Sequence, residues 1–197
     1  MHYILASASP RRLTLLQQIG IEPKVVVSDF SEATKAATPE ELVQANAGGK
    51  AATVAKRYPG SVVIAADTVV VWQDTILGKP HDTAEAKEML GLLSGQEHQV
   101  ITGLAVYYQA KHEVIVETTK VKFRQLNQKE IDEYVSTGEP LDKAGAYGIQ
   151  GRGAVLIEKI CGCYSNVVGL PLTRLYQILQ IMDVIPDDQL LHQGITK

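Results

Sequence analysis

One carboxylate interrupts the most apolar run of this sequence. Residues 61–80 read SVVIAADTVVVWQDTILGKP, with valine, isoleucine and alanine on both sides of Asp67. Such a run predicts a strand buried on both faces. A carboxylate placed there must be paired, hydrogen-bonded or metal-bound to offset its desolvation. On this stretch alone, Asp67 reads equally well as a structural acid at a strand bend or as an acid placed for chemistry. The turn over residues 73–75 folds the chain back and brings Lys79 towards the strand that carries Asp67.

A second group of chemically capable residues lies near the start. Ser7-Ala8-Ser9-Pro10-Arg11-Arg12 follows a short apolar stretch, Tyr3-Ile4-Leu5-Ala6, and precedes Leu13, Leu16 and Ile19 at helical spacing. Ser9 suits the N-cap and Pro10 the first helical position. The turn therefore gathers exposed backbone N–H groups, two hydroxyls and two guanidinium groups, a combination that binds anions. Two adjacent arginines in a first turn oppose the helix dipole, a local inconsistency that favours the anion-binding reading over a merely capped surface helix. A third group is the stretch over residues 138–153, GEPLDKAGAYGIQGRG. Gly145, Gly148, Gly151 and Gly153 exclude a regular element and allow close backbone approach to a ligand, while Ala144, Tyr147 and Ile149 are too apolar for a free connector. It reads as a binding loop.

The elements that must position these residues follow from periodicity and capping. Residues 24–28 read as a short strand leading into a polar loop with Asp29 and Glu32. Thr38-Pro39-Glu40-Glu41 is a capping box that starts a helix running to about Arg57, with Gly48 and Gly49 either thinning it or breaking it. Lys50 follows them, and its spacing leaves open whether it faces solvent or a site. Asp82 with Glu85 heads another helix, and Asn127 with Glu130 a third. Residues 99–108 and 113–123 alternate as two antiparallel strands. These strands read as scaffold, together with His98 and His112. Residues 154–160 read as a buried strand, and Pro171 opens a last helix carrying Leu172, Leu175, Ile178 and Leu179. From Ile185 onward a short polar tail, residues 185–197, is expected to be loosely held.

Composition sets limits on partners. The chain has 197 residues, 45% apolar and 21% charged, with a net charge of −3. That describes a globular protein with one compact unit, residues 1–184, and no basic field of the kind used to bind a nucleic-acid polymer. No apolar run approaches membrane-spanning length and no secretory leader is visible, so neither a membrane nor secretion is expected. Cys161 and Cys163 are too close for an ordinary disulfide and too few for a zinc site.

Taken in order, SASPRR (7–12), SDFSE (28–32), AADTVV (65–70), GKP (78–80), GEPLDKAGAYGIQGRG (138–153) and NVVGLP (166–171) resemble the Maf family of nucleoside triphosphate pyrophosphatases, over residues 3 to about 182. The DKAGAYGIQG loop looks like the branch acting on dTTP and UTP. The resemblance implies a cytoplasmic α/β protein of Maf/ITPase-like fold, with a mixed twisted sheet flanked by helices and two lobes around a deep cleft. It implies hydrolysis of a nucleoside triphosphate, or of a modified pyrimidine triphosphate, to monophosphate and pyrophosphate as a house-cleaning reaction. It also implies a divalent cation, Mg²⁺ or Mn²⁺, and a homodimer.

Carried over position by position, Asp67 matches the general base, and Lys79, a polar position around the phosphates, is a second catalytic residue. Arg12, Thr68 and Gln150 match positions that choose the base. Ser7, Ser9, Arg11 and Lys50 match polar positions around the phosphates, and Glu32 with Asp67 matches the metal region. The residue types suit that chemistry, since an aspartate is a weak base at neutral pH unless it is partly desolvated or aided by a cation. A nucleotide-binding regulator of septum formation, without turnover, is the competing expectation.

Overall fold

A computed structural model describes residues 1–185. The tail expected over residues 185–197 lies, apart from its first residue, outside the described residues. The elements in chain order are β1 (Tyr3–Leu5), α1 (Pro10–Gln18), β2 (Lys24–Val25), α2 (Pro39–Arg57), β3 (Val62–Trp72), β4 (Thr75–Leu77), α3 (Thr83–Leu93), β5 (Glu97–Tyr108), β6 (Lys111–Phe123), α4 (Gln128–Ser136), β7 (Ile157–Cys161), α5 (Tyr164–Val168) and α6 (Leu172–Met182). The strands form one mixed sheet in the order β2-β1-β3-β5-β6-β7, with β4 paired to β3. β1 is parallel to β2 and β3, whereas β3–β4 and β6–β7 are antiparallel. The two-residue link between β5 and β6 can join only antiparallel neighbours. The expected α/β class with a mixed, helix-flanked sheet is thus what the chain forms. Among the described residues no helix is long and apolar enough to cross a membrane.

The chain divides into two compact units. The first comprises Met1–Asp67, Gly103–Val116 and the segment beginning at Gly169; the second comprises Thr68–Thr102 and Glu117–Val168. Each has its own core.

In the first unit, Ala47, Ala51 and Val54 of α2 pack on Ile4, Ala6, Val63, Ala65 and Ala105. Small side chains on both surfaces let the helix lie close to the sheet. The approach is close at Gly103 of β5, where a Cβ atom would collide with the carbonyl of Val43. Gly48 and Gly49 do not break α2. Gly49 instead makes room for the ring of Phe30, which occupies the space a side chain there would need. In this way the loop that carries Glu32 is pressed onto the helix.

The second unit encloses Val70, Met89, Leu90, Leu93, Phe123, Tyr134, Tyr147 and Leu156, contributed by β3, α3, β6, α4 and the loop before β7. Its helices begin as their sequences predict. Asp82 Oδ1 accepts from the Glu85 N–H, and Asn127 with Glu130 forms a reciprocal capping box. His98 is buried against the edges of Phe123 and Tyr147, and its Nε2 shares a hydrogen with the Tyr147 hydroxyl at 2.7 Å. Burial lowers its pKa to about 4, so the ring is neutral at pH 7. It is scaffold, as its place in the sequence suggests.

Three local readings change. β2 stops at Val25 instead of reaching Ser28. The strand expected from Ala154 starts only at Ile157, because residues Gly151–Leu156 form a 3-10 turn with Gly151 at φ 72°. Ser9 has the extended backbone of an N-cap, but its side chain caps nothing; its N–H donates instead to Ser7 Oγ at 3.2 Å.

Gly103→Ala is expected to lower the unfolding free energy by about 2 kcal/mol, the ordinary cost of overpacking, because the obstacle is backbone and cannot rotate away. Urea unfolding checks this, and an unchanged midpoint would remove the close α2–β5 approach from the account.

Candidate active site

In the first unit, the side chains of β3 alternate between its two faces. Val63 and Ala65 point to α2, and two residues further on Asp67 does the same. It meets Asn46 and Lys50, one helical turn apart on α2 and therefore on the same stripe. Lys50 Nζ donates to Asp67 Oδ1 at 2.7 Å and Asn46 Nδ2 to Asp67 Oδ2 at 3.1 Å. The same ammonium lies 2.8 Å from Glu32 Oε1. The side chains of Lys50 and Asp67 are 10% and 14% exposed, that of Glu32 55%.

Asn46 also fixes the loop carrying Glu32. Its Oδ1 accepts from the Ala33 N–H at 2.8 Å and its Nδ2 donates to the Ala33 carbonyl at 3.1 Å. Both amide hydrogens are thereby used, which sets the amide's orientation. Asp67 is thus neither a bend residue nor an isolated acid. It is a partly desolvated carboxylate held in one rotamer by a cation and an amide, with lone pairs left over on each oxygen.

The strand-to-helix turn gathers the other predicted cations of this unit. Arg12 Nε donates to the Gly169 carbonyl at 2.8 Å and its Nη1 to Ser7 Oγ at 3.1 Å. Arg12 thereby ties the first turn of α1 to the start of the GLP stretch. Desolvation pulls the Arg12 pKa down from the ordinary arginine range to about 10, opposed by the charges of Asp67 and Glu32 and assisted by Arg11. The guanidinium stays protonated at neutral pH. Ser7 is buried, and Arg11 half-buried.

The remaining predicted residues belong to the second unit. Thr68 follows Asp67 on β3, so its side chain takes the opposite face. There its Oγ1 lies 2.9 Å from that of Thr102 on β5. Lys79 is exposed just beyond β4. Its neighbour Gly78 accepts from the Gly145 N–H at 3.0 Å, which links the lysine's segment to the glycine loop. Gly145, at φ 68°, packs its Cα against Val70, where a side chain would not fit.

Gln150 is half-buried at the head of the 3-10 turn. Glu139 organises this loop by accepting from the N–H groups of Arg152 and Gly153 at 3.1 and 3.2 Å and from the Tyr134 hydroxyl at 3.0 Å. Tyr134 Oη in turn accepts from the Gly148 N–H at 3.2 Å, and burial pushes its pKa above the ordinary tyrosine value.

The structure therefore brings Glu32, Lys50 and Asp67 into one cluster and Ser7 and Arg12 into another, while Thr68, Lys79 and Gln150 belong to a separate unit. Asn46, Tyr134 and Glu139 were not anticipated. For Asn46 the signal was available in its position one turn before Lys50. For Glu139 it was an acid preceding a glycine-rich stretch with many N–H groups to satisfy.

Among the described residues no group of three or more His, Cys, Asp or Glu side chains could enclose a metal. Glu32 and Asp67 offer two hard carboxylates. This suits a cation such as Mg²⁺, which takes one or two carboxylates and completes its shell with water and substrate phosphate oxygens.

A family model described as "Maf-like protein" matches residues 2–182. A protein of Symbiobacterium thermophilum named "dTTP/UTP pyrophosphatase" is 54% identical over 89% of this chain and 91% of its own length. Relatives with the same name from Bacillus cytotoxicus and Gloeobacter violaceus are 49% and 51% identical over 92% and 91% of the chain, and 95% of their own lengths. A solved structure, "The structure of the Staphylococcus aureus Ham1 protein", aligns with a TM-score of 0.45 at 16% identity over 80% of each chain, too distant to bear on the site.

A double-mutant cycle tests the cluster. Lys50→Met leaves a buried carboxylate without its cation and is expected to cost about 3 kcal/mol. Adding Asp67→Asn is expected to recover part of that loss, with a coupling of at least about 1 kcal/mol in urea unfolding. Additive effects would mean that the two side chains do not support each other in solution.

Proposed function

The chain belongs to the Maf family, and we propose that it hydrolyses dTTP and UTP to the monophosphate and pyrophosphate, with Asp67 as general base. The observation that carries this reading is the Asp67 carboxylate, held by Lys50 and Asn46 in a chain half identical to pyrophosphatases of that name.

Water attacks the α phosphorus while Asp67 takes its proton. The new P–O bond forms as the bond to the bridging α–β oxygen breaks, and the electron pair leaves with pyrophosphate. Clamped from two sides, Asp67 presents its remaining lone pairs in a fixed direction, which favours proton transfer over rotamer exchange. Ser7, Ser9, Arg11, Lys50 and Lys79 bind phosphate oxygens. Lys79 in addition offsets charge on the departing pyrophosphate. Glu32 and Asp67 would hold a divalent cation, Mg²⁺ or Mn²⁺, which would supply charge neutralisation on the triphosphate. Arg12, Thr68 and Gln150 select the base, a role to which the tethered Arg12 and the braced glycine loop lend rigidity.

The substrate is a small nucleotide, canonical or modified, and not a nucleic-acid polymer, in keeping with the net charge of −3. We place the reaction in the cytoplasm, in keeping with two free cysteines. We assign residues 1–184 to one catalytic domain that acts as a homodimer.

Pyrophosphate release from dTTP, UTP, purine triphosphates and 5-modified pyrimidine triphosphates, each with Mg²⁺, tests the reading. Turnover of dTTP and UTP at least about tenfold above the purine nucleotides is expected. Tight dTTP binding with no release would favour a regulator without turnover, and purine preference would overturn the pyrimidine assignment.

A further inference from the structure

We infer that Tyr134 and Glu139 are positioning residues for base selection: they clasp the neck of the loop over residues 148–153 and so fix the backbone from which Gln150 reads the base. The inference rests on the pyrimidine pyrophosphatase reading above and specifies how one of its base-selecting residues is held.

The loop leaves and returns at one point of the second unit. Gly148 and Gly153 approach so closely that a Cβ atom on Gly153 would collide with the Gly148 carbonyl and with Tyr134 Oη. The clasp closes around this neck. Tyr134 Oη accepts from the Gly148 N–H at 3.2 Å and donates to Glu139 Oε1 at 3.0 Å. Glu139 Oε1 also accepts from the Gly153 N–H at 3.2 Å, and Oε2 from the Arg152 N–H at 3.1 Å. The direction of every bond is fixed, because an amide N–H can only donate and the single tyrosine hydrogen goes to the carboxylate. Lys143 adds a strut: its stem lies against Gly148, where a side chain would not fit, and its Nζ donates to the Glu139 carbonyl at 2.7 Å.

Both halves of the clasp are anchored outside the loop. The Tyr134 ring is buried in the core of the second unit, and Glu139 opens a 3-10 turn, Glu139–Asp142, just after α4. Between the clasped N–H groups of Gly148 and Arg152 lie Ile149, Gln150 and Gly151, so Gln150 sits at the middle of the span.

A carboxamide reads a base edge by setting one N–H and its carbonyl side by side against an acceptor and a donor, as uracil and thymine present at a ring carbonyl and N3–H. Two bonds in one plane tolerate little displacement, and a shift of about 1 Å in the backbone misplaces both. A glycine-rich span has that freedom until it is clasped. The triphosphate, held in the reading above by other residues, does not depend on the clasp. Losing it therefore weakens recognition of the base and leaves phosphate binding and cleavage as they were.

The test measures kcat and KM for dTTP and dGTP in the wild type, Tyr134→Phe, Gln150→Ala and the double variant, together with inhibition by inorganic tripolyphosphate, which carries no base. Phenylalanine keeps the buried ring and removes only the hydroxyl. KM for dTTP is expected to rise about fivefold and the dTTP to dGTP ratio of kcat/KM to fall by as much, with kcat and tripolyphosphate inhibition within about twofold of wild type. In the Gln150→Ala background the same change is expected to leave the ratio unaltered. An equal effect in both backgrounds, or tripolyphosphate binding that weakens along with dTTP binding, overturns the inference. Should Tyr134→Phe fail to fold, Glu139→Gln takes its place with the same expectations, since it sets an amide donor against an N–H. Should both fail, amide exchange in the wild type decides: dTTP, but not tripolyphosphate, is expected to slow exchange at Gly148, Arg152 and Gly153, and equal slowing by the two overturns the inference. A wild type that releases no pyrophosphate from dTTP refutes the activity itself. Normal release from dTTP with selectivity indifferent to Tyr134 refutes the clasp alone.

Discussion

The Lys50 ammonium between Glu32 and Asp67 is the constraint on which the rest depends. An aspartate set in a strand of valine, isoleucine and alanine stays ionised only if its lost hydration is replaced, and Lys50 and Asn46 replace it at 2.7 and 3.1 Å. Both come from one stripe of α2, so that helix must lie close to β3 and β5. This in turn requires Ala47, Ala51, Ala65, Ala105 and Gly103 where larger residues would ordinarily pack. The same cation reaches Glu32 only because Phe30 lies on Gly49 and Asn46 bonds both polar atoms of the Ala33 backbone. Small residues, a buried amide and a loop aromatic, each unremarkable in the sequence, thus serve one carboxylate pair.

The second unit addresses a different problem, the ordering of glycine-rich backbone. A loop with glycines at positions 145, 148, 151 and 153 loses much conformational entropy on folding and offers few side-chain contacts in return. Glu139 and Tyr134 offset this by taking up the N–H groups of Gly148, Arg152 and Gly153. Buried Asn166 ties neighbouring segments of the same unit, its Nδ2 donating to the Val100 carbonyl and to Thr119 Oγ1, both at 3.0 Å.

How much of this was legible in the sequence depended on the range of the interaction. Capping at Thr38, Asp82 and Asn127 is decided within four residues, and all three helices begin as read. The apolar run around Asp67 marked β3, since a strand buried on both faces leaves a continuous signature. The strand expected from Ala154 was shortened because the N–H groups of Arg152 and Gly153 go to Glu139, a partner more than ten residues away that periodicity cannot weigh. Ser9 looked like a cap, but Ser7 took its N–H. At the site, residue types indicated an acid, cations and a binding loop. The spacing of Lys50 could not show that it points at Asp67, because that depends on the approach of α2 to the sheet. Asn46, one turn before Lys50, shares its stripe, but that both reach Asp67 depends on the same long-range approach.

The most direct measurement is pyrophosphate release by Asp67→Asn set beside its affinity for dTTP. The account predicts that turnover falls by about 10²–10⁴, the usual worth of a general base, while the dissociation constant changes only a few-fold, because asparagine keeps the size of the side chain and can still accept from one of its two donors, Lys50 or Asn46. A variant that releases pyrophosphate at nearly the wild-type rate would contradict it, and the clamp around residue 67 would then be structural.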